Sequence, residues 1–208
     1  MLISFEGIDH SGKSTQAKML FAHLKKMKKK VILVREPGGT EISERIRDIL
    51  LDKNNHSMKF LTEFLLFSSA RQQLVEEVIK PHLKKKFVVI CDRYFDSSTA
   101  YQGYGGKLNL KDVNAVNRIA TSGLTPDITF FLDIDYKEAI YRSILINKKA
   151  DRIEQKQIPY YKKVMEGYRE IARLENKRVL TIKGTENADL IHIKISEIID
   201  DRLKKSRK

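Results

Sequence analysis

Residues Gly7-Ile8-Asp9-His10-Ser11-Gly12-Lys13-Ser14 match the pattern G-x-x-x-x-G-K-[ST], and their flanks are the ones such a loop requires. The preceding run Leu2-Ile3-Ser4-Phe5-Glu6 is short and mostly apolar, as expected of a buried strand. After the loop, Met19, Leu20, Ala22, His23, Leu24 and Met27 recur at helical spacing. Strand, glycine loop and helix in that order turn a pattern match into a phosphate site. The glycines let backbone N–H groups turn inward around phosphates, and the helix N-terminus adds positive potential. The residues from Gly7 to Thr15, including Ile8, Asp9, His10, Ser11 and Gly12, are therefore expected to hold a nucleoside triphosphate. Lys13 would reach its β- and γ-phosphates, and the Ser14 hydroxyl would ligate Mg²⁺.

Four further apolar runs follow: Val31-Ile32-Leu33-Val34, Phe87-Val88-Val89-Ile90-Cys91, Ile128-Thr129-Phe130-Phe131-Leu132 and Val179-Leu180-Thr181-Ile182. They are continuous rather than alternating, which suits parallel strands buried on both faces. Helical patterning fills the intervals, at about 14–28, 41–52, 58–84, 110–122, 136–147, 159–175 and 187–204. This alternation predicts an α/β fold, a three-layer, doubly wound, parallel five-stranded sheet whose ligands sit beyond the carboxyl ends of the strands. No repeat, low-complexity linker or composition shift divides the chain, so one domain over 1–208 is expected.

Chemistry collects at those strand ends. The second run leads into Arg35-Glu36-Pro37-Gly38-Gly39-Thr40, and the third into Asp92-Arg93-Tyr94-Phe95-Asp96-Ser97-Ser98. An Asp directly after an apolar strand, beside a phosphate loop, is the expected second anchor for Mg²⁺, so Asp92 joins Ser14 as a metal candidate. Arg93 points a guanidinium toward the same crevice, where phosphoryl charge must be neutralised.

A formal net charge of +13 raises the question of nucleic acid. The lysines cluster at 25–30, 84–86 and 204–208, each at the end of a helical segment, where cations complement the helix dipole and stay solvated. No stacking aromatics interleave them and no nucleic-acid motif appears, so no nucleic-acid partner is expected. No apolar run approaches the ~20 residues of a membrane span. The phosphate loop begins so close to Met1 that a cleavable leader is not expected. The one cysteine, Cys91, excludes an internal disulfide framework and reads as a small core residue. A cytoplasmic location is the expectation.

Taken together, these segments resemble the thymidylate kinase family, which transfers a phosphoryl group from ATP to dTMP. The resemblance runs from Phe5-Glu6-Gly7-Ile8-Asp9 through Thr15, then Arg35-Glu36-Pro37-Gly38-Gly39-Thr40 and Phe64-Leu65-Leu66-Phe67-Ser68-Ser69-Ala70-Arg71. It continues with Asp92-Arg93-Tyr94, Ser97-Ser98, Tyr101-Gln102-Gly103, Gly123-Leu124-Thr125-Pro126-Asp127, Leu132-Asp133-Ile134-Asp135 and Asp151-Arg152-Ile153-Glu154.

That resemblance implies that Asp9 contacts the deoxyribose 3′-hydroxyl, that Phe67 stacks on thymine, and that Arg71, one helical turn on, hydrogen-bonds its carbonyl. It implies that Arg47 and Arg93 hold the monophosphate. Ser97, Ser98, Tyr101 and Gln102 resemble the wall around base and sugar, with Tyr101 against C2′. Glu36 belongs with them, and Pro37 resembles a residue packing near the 5-methyl group. A lid over about 143–157 and a homodimer, formed through the long 58–84 helical region, are implied as well.

Two positions depart from the family pattern. His10 stands where many members carry glycine, and Ile144-Leu145-Ile146-Asn147-Lys148-Lys149-Ala150 lacks the arginines that many bacterial members carry in the lid. The expected catalytic group is therefore Asp9, Lys13 and Arg93 with a lid cation. Lys148 and Arg152 are the first candidates for that cation, Lys149 and Arg142 stand behind them, and His10 is the rival. The alternatives are a kinase for another nucleoside monophosphate or a deoxynucleoside, and a phosphate-loop ATPase or nucleotide-binding regulator.

Overall fold

The computed structural model describes residues 1–146 and 151–205. At its centre lies a parallel sheet of five strands in the order β2-β3-β1-β4-β5. The strands are β1 Leu2–Glu6, β2 Val31–Arg35, β3 Val88–Asp92, β4 Ile128–Asp133 and β5 Val179–Lys183. Each falls on the apolar run that predicts it. At the carboxyl end β2 to β5 each gain one polar residue beyond that run, namely Arg35, Asp92, Asp133 and Lys183. Of these, Arg35 and Asp92 line the crevice, while Asp133 pairs with Arg169.

Successive residues of a strand face opposite sides of the sheet, and this sets the layers. Phe130 packs with Phe5, ring centroids 5.3 Å apart, beneath α1 (Lys13–Lys26) and α9 (Ala188–Lys205). Its neighbour Phe131 stacks on Tyr168 of α8 (Ile158–Leu174), centroids 5.2 Å apart, in a separate cluster. In α8 the buried residues Tyr161, Val164, Met165, Tyr168 and Ile171 follow the 3.6-residue period, giving one apolar stripe. Burying a ring such as Phe5 or Phe130 contributes roughly 1.5–3 kcal/mol.

The other helices mostly follow the expected ranges: α2 Glu41–Leu51, α6 Leu110–Ala120 and α7 Tyr136–Ile146. Thr40 caps α2 by accepting from the Ser43 N–H at 3.1 Å. The 58–84 region forms α3 Phe60–Leu74, a wider π-helical stretch Val75–Ile79 and α4 Lys80–Lys84.

One helix was not legible in the patterning. After β3 the chain forms α5 Phe95–Ser98 and continues as a π-helix over Thr99–Gly105. Ser97, Ser98, Gly103 and Gly105 are poor helix formers, so propensity argues against it. Packing overrides propensity: Ala100 is fully buried and Tyr101 nearly so, against α8. The segment 143–157, expected to be a helical lid, departs from that expectation. Helix α7 runs to Ile146, residues 147–150 lie outside the described residues, and 151–157 consists of turns. There the Asp151 carboxylate accepts from the N–H groups of Ile153 and Glu154, both at 2.9 Å, which closes a turn rather than a helix.

Candidate active site

The loop between β1 and α1 is shaped by two glycines. Gly7 has φ 144°, and a Cβ there would lie 2.7 Å from the Leu132 carbonyl oxygen. Gly12 caps α1 in the left-handed region at φ 95°, with no side chain bonding the first N–H groups. Those donors, together with the helix dipole, face whatever occupies the loop. Lys13 is buried, its Nζ 3.2 Å from the Ile8 carbonyl oxygen and 3.9 Å from Asp9 Oδ1. Burial and the nearby Arg93 lower its pKa against the pull of Asp9 and Asp92.

Two clefts meet at this loop. One, of about 610 Å³, is lined by His10, Ser11, Gly12, Lys13, Ser14 and Thr15, with Arg142 and Gly184 beyond them. The other, of about 240 Å³, opens over the ends of β2 and β3. Asp9, Lys13, Ser14 and Glu154 line both. Gly7 and Ile8 line neither; their carbonyl oxygens accept from Arg93 and Lys13 underneath.

Every side chain expected at the acceptor lines the smaller cleft: Asp9, Glu36, Pro37, Arg47, Phe67 and Arg71 from one side, and Arg93, Ser97, Ser98, Tyr101 and Gln102 from the other. Asp9 is gripped there. Arg93 Nη2 donates to Oδ1 at 2.6 Å, and the Tyr101 hydroxyl donates to Oδ2 at 3.0 Å. Burial alone would raise the Asp9 pKa, but Arg93, Lys13 and Tyr101 hold it well below the usual carboxylate range.

Arg93 itself sits at φ 73°, a left-handed conformation costing a non-glycine residue roughly 1–2 kcal/mol. Glu6 holds it there. This fully buried carboxylate accepts from the Tyr94 N–H at 2.7 Å, the Ser97 hydroxyl at 2.6 Å and the Tyr168 hydroxyl at 3.0 Å. Burial, and then the neighbouring Asp96, push its pKa up to about 7. No role for Glu6 was read from the sequence. The signal was a lone carboxylate in an apolar strand, one residue before the phosphate-loop glycine.

On the other wall, Arg71 is 1 % exposed and donates to Glu36 at 2.7 Å, Ser98 at 3.0 Å, Asn117 at 3.2 Å and the Tyr94 carbonyl at 3.3 Å. A guanidinium has five N–H groups, so one, on Nη1, remains for a ligand. Arg35 and Arg47 converge on the Pro37 carbonyl oxygen at 2.8 and 2.9 Å. Arg35 also lines the cleft, with its Nη2 donating to the Glu44 carboxylate at 2.8 and 3.1 Å.

The lid candidates separate. Arg152, expected near the transferring phosphates, lines neither cleft. Its Nε donates to the Leu50 carbonyl oxygen at 2.8 Å and its Nη1 lies 2.8 Å from Glu63. Its Nη2 is buried with no hydrogen-bond partner. Lys148 and Lys149 lie outside the described residues. Arg142 donates to Glu138 and Gly184, and at 3.4 Å to the His10 and Ser11 carbonyl oxygens. His10 Nε2 stands 3.7 Å from Glu154 Oε1.

The donor set suits a hard cation. Asp92 Oδ1 is buried with no hydrogen-bond partner and faces the smaller cleft with Ser14. Among the described residues no group of three or more His, Cys, Asp or Glu could enclose a metal. One carboxylate, one hydroxyl and substrate phosphates are what Mg²⁺ ordinarily takes.

Comparison with known proteins agrees with this geometry. The profile of the thymidylate kinase family matches residues 5–195. The thymidylate kinase of Caldanaerobacter subterraneus subsp. tengcongensis is 46% identical over 202 residues, covering 97% of this chain and 96% of that one. That of Prosthecochloris aestuarii is 45% identical over 210 residues, covering 97% and 94%. The crystal structure of thymidylate kinase from Ehrlichia chaffeensis superposes with a TM-score of 0.79 at 32% identity, covering 96% and 98%.

Proposed function

The chain belongs to the thymidylate kinase family, and from that membership we propose how its residues divide the transfer of a phosphoryl group from ATP to dTMP. It is a dTMP kinase, giving dTDP and ADP. The observation that carries the assignment of roles is the meeting of two clefts on Asp9, Lys13 and Ser14. A donor in the larger and an acceptor in the smaller would face each other across that edge.

In this reading Gly12 and the first turn of α1 hold the ATP phosphates, and Lys13 follows the transferring group. Arg35, Arg47 and Arg93 receive the acceptor monophosphate. Asp9, already ionised, accepts from the 3′-hydroxyl, while Tyr101 closes off C2′. Phe67, Arg71 and Gln102 frame the base, with Pro37 beside the 5-methyl group. The transition state is loose, so positioning and charge compensation do the work rather than covalent chemistry. Ser14 and Asp92 would hold Mg²⁺, which neutralises phosphate charge when bound. The segment 143–157 serves as the lid of a single kinase domain. With Arg152 committed to Glu63, Lys148 is the lid's cation in this proposal, and exclusion of water by closure prevents hydrolysis.

A homodimer through the 58–84 region is supported by Leu61 and Leu65, one turn apart on α3, which leave about half their surfaces exposed. No helix among the described residues is long and apolar enough to cross a membrane. A cytoplasmic site of action is part of the same proposal.

Following γ-labelled ATP tests the reading. The label should appear in dTDP, equimolar with ADP, and chelation of Mg²⁺ should stop transfer. Label appearing chiefly as inorganic phosphate would replace the kinase with an ATPase.

A further inference from the structure

We propose that Glu63, which does not line the cleft, is the positioning residue that makes this acceptor site select a base carrying a hydrogen at N3, because it fixes which end of the Gln102 amide faces the base. The inference rests on reading the smaller cleft as the dTMP site.

Glu63 lies on α3, 1 % exposed, beneath three donors from two segments, the π-helix after α5 and the turns of 151–157. Gln102 Nε2 donates to its Oε1 at 2.9 Å, Lys156 Nζ donates to both oxygens at 2.9 Å, and Arg152 Nη1 lies 2.8 Å from Oε2. Lys156 is itself held against the stacked rings of Phe60 and Tyr160, at 4.3 and 4.5 Å from their centroids. Two cations so placed keep the buried carboxylate charged. Against burial, Lys156 and the hydrogen bonds lower the Glu63 pKa below its ordinary value.

An ionised carboxylate can only accept hydrogen bonds, so the nitrogen end of the Gln102 amide must turn to it. Gln102 is 2 % exposed and lines the cleft, and the other end of its amide is an acceptor oxygen. Thymine and uracil present N3–H, which suits that acceptor. Cytosine presents a bare N3, which would set two acceptors against each other and leave both unsatisfied. Glu63 thus acts on the base through Gln102 without contacting it.

The test measures dissociation constants of dTMP and dCMP by competition, with kcat for dTMP, in the parent and in Glu63→Gln. A neutral amide at 63 can donate or accept, so the Gln102 amide loses its enforced orientation. The preference for dTMP over dCMP should fall ~10-fold or more, with kcat at saturation little changed. In a Gln102→Leu background, Glu63→Gln should have no further effect on that preference. Lys156→Met removes one of the two cations that keep Glu63 ionised, so it should lower the preference in the same direction as Glu63→Gln.

If Glu63→Gln does not fold, Glu63→Asp withdraws the carboxylate by one methylene and should lower the preference in the same direction. An unchanged preference alongside a lower Tm would overturn the proposal, leaving Glu63 a purely structural anchor. A parent protein that does not bind dTMP at all would instead sink the acceptor-site reading beneath it.

Discussion

Arg93 Nη2 lies 2.6 Å from Asp9 Oδ1, joining the carboxyl end of β3 to the phosphate loop. The pair ties the two clefts together, because Asp9 lines both and Arg93 reaches the acceptor side. It also keeps Asp9 ionised. A carboxyl held this low contributes stability above its unfolded pKa and loses it only as pH falls through the depressed folded value.

Asp9→Asn keeps the shape and removes the charge. Turnover of dTMP should fall by ~10²-fold or more while a nonhydrolysable ATP analogue still binds, as titration calorimetry would show. Parallel losses of ATP affinity and turnover would mean that Asp9 only braces the loop. In the parent, the pH–rate profile between pH 5 and 9 should carry no limb from Asp9.

Lys13→Ala removes the side chain placed to follow the transferring phosphoryl group. Its kcat should fall by ~10²-fold or more, the scale of a lost electrostatic donor. Near-parental turnover would dissolve the phosphate-loop account.

Glu6 gives stability a pH dependence of opposite sign to that of Asp9. Its folded pKa is raised from 4.5 to about 7, so the folded protein retains a proton that the unfolded chain releases. The resulting penalty is absent below pH 4.5, grows between 4.5 and 7, and is complete above 7. The Tm difference between Glu6→Gln and the parent should therefore shift toward the variant by a few °C from pH 5 to pH 8. A constant difference across that range would remove the buried-carboxylate argument.

Arg152→Ala and Lys148→Ala separate two lid roles. Arg152 grips Glu63 and the Leu50 carbonyl oxygen, so its loss should lower Tm and raise the KM for dTMP. Lys148→Ala should instead lower kcat at saturating substrates well beyond the surface control Lys205→Ala. If both keep full kcat and His10→Gly loses it, the compensating cation belongs to the phosphate loop.

Those contrasts mark how far the residue pattern could be read. Continuous apolar runs located the strands, since β1, β3 and β4 are buried on both faces, although the edge strands β2 and β5 are only partly so. The phosphate loop and the Asp92-Arg93 step were legible because each sits at a strand end, whereas Phe67 and Arg71 stood out only through the family resemblance. Helix 95–105 was hidden because tertiary packing against α8 overrides serine and glycine there. Glu6, Glu63 and the inward turn of Arg152 were hidden for a different reason. Each depends on a partner 90 or so residues away, as in Glu6 with Ser97 and Glu63 with Lys156, and local sequence does not name that partner.

The central claim is most directly tested by steady-state ADP release with each nucleoside monophosphate in turn and with none. The account predicts release that depends on an acceptor and a kcat/KM highest for dTMP. For dUMP, one methyl group short, it should be lower by only ~10–200-fold, and for AMP, CMP and GMP lower still. Equal release without acceptor, or a kcat/KM for AMP, CMP or GMP matching that for dTMP, would contradict it.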